Sequence, residues 1–137
     1  MNPSSASPAV TDMSSTTQAQ SSSTASELIE TVSRAIKQLY KERLGKAPLL
    51  VTCNLLADRL VIWIEGSITP VEKLLFADGT PEAKSLCFTV DNIMRQHLTD
   101  VIERHLNVDV VTMIADTCYE HDCTGAIAKL SAPITSL

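Results

Sequence analysis

A chain of 137 residues with 45% hydrophobic and 20% charged side chains has the material for one globular domain with its own core. Its formal net charge of −5, with Lys and Arg scattered along it, excludes a protein that grips nucleic acid through a clustered basic face. The longest apolar runs are strand-sized, such as Leu60-Val61-Ile62-Trp63-Ile64, and exclude a bilayer-spanning helix of about 20 residues.

Residues 1–23 are mostly Ser, Thr, Ala, Gln and Pro with one charged side chain, Asp12, and no period of 2 or 3.6. Such a segment buries too little apolar surface to offset its ordering entropy, so a disordered Ser/Thr-rich tail is expected. It also lacks the positive flank and apolar core of a secretory signal, which makes the cytoplasm the expected compartment. The four cysteines are then expected as reduced thiols.

The first helix is expected from Thr24 or Ser26, where Thr24-Ala25-Ser26-Glu27 fits a capping box. Ile29, Val32, Ile36, Leu39 and Tyr40 follow on one face, Gly45 supplies a left-handed C-terminal cap, and Pro48 prevents resumption. Strands are expected over about 49–55 and 59–65, joined by a short Ala57-Asp58 turn as an antiparallel hairpin. The second strand is apolar on both faces, Leu60, Ile62 and Ile64 on one and Val61 and Trp63 on the other. A strand wet on one side alternates. Val61 and Trp63 therefore predict a covered face, with a second copy of the chain as its expected partner.

Gly66-Ser67-Ile68-Thr69-Pro70-Val71-Glu72 is the sharpest local signal: Thr69 is an N-cap, Pro70 suits the first helical position, and Glu72 completes a capping box. That short helix is expected to reach about Phe76, with Asp78-Gly79 breaking it. A long helix follows from the Thr80-Pro81 cap to about His105, with Leu86, Val90, Ile93, Met94, His97, Val101 and Ile102 as its expected buried stripe. Strands over about 109–117 and 124–130 close the domain, which is expected to span 24–131 and to leave 132–137 as a tail. Residues 26–66 and 81–130 thus repeat one unit, a helix followed by two strands. The fold class is α+β: a four-stranded, mainly antiparallel sheet with both long helices on one face.

No catalytic constellation is visible, and no catalytic, cofactor-binding or metal-ligating residue is assigned. Cys118, His121, Asp122 and Cys123 are the nearest approach to a metal cluster, but the cysteines have four residues between them and no second pair completes a zinc site. Cys118 and Cys123 flank an expected hairpin and are the candidate redox pair. Glu120 and Asp122 beside them disfavour thiolate, so slow reaction with electrophiles is expected. His97, mid-stripe, reads as a packed core histidine. Asp91, Asp100 and Glu103, with Arg95 and Arg104, read as a solvated helix face with local ion pairs. Gly45-Lys46-Ala47-Pro48 has one glycine and opens no helix, so it reads as a corner rather than an anion loop.

The run Tyr40-Lys41-Glu42-Arg43-Leu44-Gly45-Lys46-Ala47-Pro48, the Asp58-Arg59 turn, Gly66-Ser67-Ile68-Thr69-Pro70-Val71-Glu72-Lys73-Leu74-Leu75, and the long helix and final hairpin together resemble the MpsC-like family. The resemblance covers residues 26–130. Its most specific part is the strand-Gly-x-x-Thr-x-x-Glu-x-x-Leu stretch, while Ala47 stands where members commonly carry a second Gly. The family is named for a Na+-translocating, membrane-potential-generating system. The resemblance implies a non-enzymatic cytoplasmic interaction or regulatory subunit, peripheral to a membrane cation or bicarbonate transport system. It transfers no catalytic residue. With no spanning segment, direct membrane insertion is not expected, and membrane association would come through a partner. The alternative reading is a small-ligand or thiol redox sensor using the Cys118–Cys123 loop.

Overall fold

A computed structural model describes the backbone of residues 3–134 and side chains from Thr24 to Ile134. The elements run α1 (Pro3–Leu44), β1 (Leu50–Leu56), β2 (Arg59–Glu65), α2 (Pro70–Asp78), α3 (Pro81–Leu106), β3 (Val110–Cys118) and β4 (Cys123–Leu130). The α+β reading holds: four strands form one antiparallel sheet in the order β1-β2-β4-β3, and the long helices pack on one side of it.

Two boundaries need correction. α1 runs through Thr24-Ala25-Ser26-Glu27, so that stretch is helix interior and not the start of the helix. No glycine or proline between Pro8 and Gly45 stops a helix there. The disordered-tail reading concerns residues 1–23, whose side chains lie outside those described, as do residues 135–137. Cys118 and Cys123 are strand residues, which leaves only 119–122 as the connecting loop.

The duplicated unit explains the strand order. Each hairpin places its second strand inward, and β2 and β4 then pair antiparallel at the sheet centre, with Ile62 opposite Ala126. On the covered face the register aligns Val51 with Ile64, Cys53 with Ile62, and Met113 with Ala128. Val32, Ile36, Leu39 and Tyr40 from α1 and Met94, Leu98, Val101, Ile102 and Leu106 from α3 close over that face. Leu60, Ile62 and Ile64 are at most 1% exposed, and each contributes about 1.5–3 kcal/mol of transfer free energy.

The α3 stripe differs in part from its sequence reading. Leu86 and Ile93 face solvent at 54% and 50% exposure, whereas Ala83, Cys87 and Leu98 are buried. The helix begins over α2 and ends over the sheet, so its buried stripe must serve two neighbours, and one heptad pattern does not describe both.

The link between the halves is built as the sequence indicates. Thr69 Oγ1 accepts from the Glu72 amide at 3.2 Å, and Glu72 Oε1 accepts from the Thr69 amide at 3.1 Å. Gly79, at φ 72°, caps α2, and Thr80 Oγ1 accepts from the Ala83 amide to start α3. Gly66 has φ 73°, and a Cβ there would lie 2.5 Å from the Leu49 side chain, so glycine alone fits this corner.

Candidate functional site

The first candidate surface is the sheet face away from the helices. Strand alternation and the register put Asn54, Val61, Ile127 and Ile114 in one cross-strand row and Thr52, Trp63, Gly125 and Asp116 in the next. Trp63 is 45% exposed, Ile127 43% and Ile114 68%, and Val61 is half-buried. The apolar second face of β2 is thus real, and no element of the described chain covers it. The Trp63 ring edge lies beside Gly125, where an added Cβ would meet it at 3.3 Å, and its Nε1 donates to Glu65 Oε2 at 2.8 Å. Glycine opposite tryptophan therefore leaves room for the indole, which stays 45% exposed.

The rows at the two ends of this face differ in charge. One carries Arg59 and Lys129, whose ammonium contacts Asp58 in the β1–β2 turn. Near the other end lie Glu65 and Asp116. The face thus has a basic end, an apolar middle and an acidic end.

Cys118 and Cys123 belong to the acidic end. They are opposed in the β3–β4 register, and Cys123 is in turn opposed to Glu65. Cys118 is exposed and Cys123 half-buried, whereas Cys53 and Cys87 are buried. Desolvation first, then the neighbouring Cys118 thiol, Glu65 and Asp122, hold the Cys123 thiol above its ordinary pKa. The loop between the pair is anchored to the α2 side of the molecule. Asp122, at φ 51°, accepts from the Gly66 amide through its carbonyl at 3.0 Å and from the Ile68 amide through Oδ1 at 3.0 Å. Its other oxygen meets Lys73 at 3.2 Å. Desolvation pushes that carboxyl up, but the Ile68 amide, Lys73 and Lys46 outweigh it and hold the pKa low.

A second feature escaped the sequence reading. Tyr40, Ser67, Glu72, Asp91, Arg95 and Thr124, together with apolar side chains such as Ile68, Phe88 and Met94, line a mixed cavity of about 70 Å³ where α1, α2, α3 and the sheet meet. Asp91 is not on a solvated face. Its carboxylate accepts from the Tyr119 hydroxyl at 2.9 Å, and Tyr119 stacks on Phe76 with centroids 4.7 Å apart. Desolvation raises the Asp91 pKa, with Glu72 and Asp116 adding to it against Tyr119 and Arg95. Burial, then Asp91 and Glu72, likewise raises that of Tyr40. Arg95 Nε is buried without a hydrogen-bond partner among the described residues. No spacing rule joins residues 40, 72, 91 and 119. The only hint was Glu72, whose capping role draws a carboxylate inward.

The other candidates fall apart in space or into structural roles. His97 is half-buried on α3. Glu103 Oε2 accepts from the Val110 amide at 2.8 Å and so fixes the α3–β3 corner, while Asp100 is exposed. Lys46 donates to the Ile68 carbonyl at 3.1 Å, which makes the Gly45–Pro48 stretch a tied corner. Among the described residues, no group of three or more His, Cys, Asp or Glu side chains is arranged to hold a metal. No helix among them is long and apolar enough to cross a membrane.

These features describe a small α+β domain with an exposed apolar sheet face and a tied polar junction behind it. The family model described as "Na+-translocating membrane potential-generating system (MpsC)" matches residues 24–132, most of the chain, and the protein belongs to that family. No curated protein and no solved structure matches the chain.

Proposed function

We propose that this protein is a non-enzymatic interaction subunit that works beside a membrane cation-transport system and assembles through the open face of its sheet. The observation that carries this reading is the row Val61, Ile127 and Ile114 with Trp63 beside it, an apolar band held by a rigid sheet. Exposed apolar bands of this kind mark contact surfaces. The family's description as a Na+-translocating membrane-potential-generating system supports the transport side of this reading.

The partner on this face is a second copy of the chain. Face-to-face stacking about a two-fold axis, with the strands of the copies running antiparallel, brings the Arg59–Lys129 end of one over the Glu65–Asp116 end of the other. The apolar rows then meet in the middle. Such an interface is self-complementary, as isologous contacts must be. The transport components would be engaged by the resulting dimer.

Co-purification from native membranes tests the functional reading. The full chain is expected to bring down integral-membrane transport components, and a Trp63→Ser, Ile127→Ser variant of unchanged melting temperature is expected to lose them. Equal recovery with the variant would remove the sheet face from the function, and recovery of no membrane component with the parent chain would remove the function itself.

A further inference from the structure

The β3–β4 hairpin carries a feature that the interaction reading does not use. Cys118 and Cys123 face each other across the last rung of the ladder, on the same side of the sheet. Directly opposed residues in an antiparallel pair have Cα atoms about 4.5–5.5 Å apart. A disulfide accepts a Cα separation of about 4.4–6.8 Å, so the register puts this pair within closing range. The remaining cysteines, Cys53 and Cys87, are buried in separate elements. In the single chain the cysteine pair therefore has a partner within reach, an open side for attack, and no competing thiol at the surface among the described residues. Because the pair lies on the face that the proposed dimer covers, oxidation proceeds from the undimerised chain.

The geometry points to Cys118 and Cys123 as a reversible modification site, a cross-strand disulfide made by exchange with a low-molecular-weight disulfide, that clamps the loop holding the β3–β4 turn to α2. In the first step the exposed Cys118 thiolate attacks one sulfur of the small disulfide. A mixed disulfide forms and one small thiolate leaves. In the second step the Cys123 thiolate attacks Cys118 Sγ, the internal disulfide forms, and the second small thiolate leaves. Two protein thiols are oxidised, one small disulfide is reduced to two thiols, and the two cysteine protons pass to solvent or to those thiols.

The clamp has a defined reach. The four-residue loop it closes contains Tyr119, which donates to Asp91 and stacks on Phe76, and Asp122, which holds the Gly66 and Ile68 amides and Lys73. A covalent bond at the loop's base limits the opening motions that break these contacts. Because Cys123 sits above its ordinary pKa, closure is slow near neutral pH and quickens as pH rises. Desolvation first, then the Cys118 thiol and the acidic neighbours Glu65 and Asp122, set this sluggishness, and it keeps the pair open until oxidant accumulates.

The test treats the full chain with oxidised glutathione under native conditions and follows intact mass and hydrogen exchange. The parent chain is expected to lose two hydrogens without keeping a glutathione, and peptide mapping is expected to join 118 to 123 with Cys53 and Cys87 free. The Cys123→Ser variant is expected to hold one glutathione at Cys118, because nothing resolves it. In the oxidised parent the Gly66 and Ile68 amides are expected to exchange more slowly, and dithiothreitol is expected to restore the original rate. A parent chain that stays unmodified, keeps a stable glutathione on Cys118, or cross-links to a second copy would overturn the assignment. Unchanged exchange at Gly66 and Ile68 after closure would overturn the clamp.

Discussion

The Thr69–Glu72 box and the Asp91–Tyr119 pair show how differently single residues reveal themselves. The capping box is local, three residues apart, and follows from spacing alone. Thr69→Ala removes the acceptor for the Glu72 amide and is expected to cost about 0.5–2 kcal/mol, read from chemical denaturation at constant slope. Asp91 is defined by what folds over it. Its carboxyl binds a proton more tightly in the folded chain than at its ordinary value of 3.8. Ionisation therefore costs stability as pH rises through the folded value. Asp91→Asn is expected to raise the melting temperature near pH 7 and to change it little near pH 3, where the carboxyl is protonated in both states. Asp122 has the opposite sign, because its folded carboxyl titrates below 3.8. Asp122→Asn is expected to lower the melting temperature near pH 7, with the difference fading as pH falls through that folded value. Thermal melts across pH on the two variants separate the cases, and parallel curves would contradict both assignments.

At the scale of elements, the link between the hairpins concentrates the constraints. Gly66 ends β2 in the left-handed region with Leu49 pressed against it, and its amide is held by Asp122 from the other half. Gly66→Ala adds a Cβ within 2.5 Å of that side chain and strains the backbone as well. It is expected to destabilise the fold by more than the ~1 kcal/mol of an exposed left-handed Gly→Ala change, measured by denaturation. This link and the hairpins were legible because glycine, proline and capping residues act within a few positions of themselves. β2 was placed over its observed span, Arg59–Glu65, and the bounds of β1, β3 and β4 moved by a residue. The α3 stripe was only half legible, since Leu86 and Leu98 are equally apolar in sequence and their burial depends on which element lies opposite. The cavity between the helices and the sheet was not legible at all. It draws Tyr40, Glu72 and Asp91 from α1, α2 and α3, with Tyr119 of the β3–β4 loop bonded to Asp91 beside it, and only the tertiary fold brings them together. The open sheet face was legible because period-two alternation broke in one strand, where Val61 and Trp63 stand at positions a wet face fills with polar residues.

For the whole molecule, the fully buried core among the described residues begins at Val32, with Leu28 and Ile29 packed against it, and the family match begins at residue 24. A chain starting at Thr24 is expected to keep the parent's melting temperature within about two degrees, as a segment without apolar mass adds little to burial. A large drop would show that the first 23 residues contribute to the fold, and would make them a rival occupant of the open sheet face.

The open face is the central claim, and its occupancy is directly measurable. Multi-angle light scattering of the full chain at tens of micromolar, beside the Trp63→Ser, Ile127→Ser variant, tests it most directly. Twice the chain mass is expected for the parent and the single-chain mass for the variant, with matching far-ultraviolet circular dichroism. A monomeric parent, or a variant that remains dimeric, would contradict it.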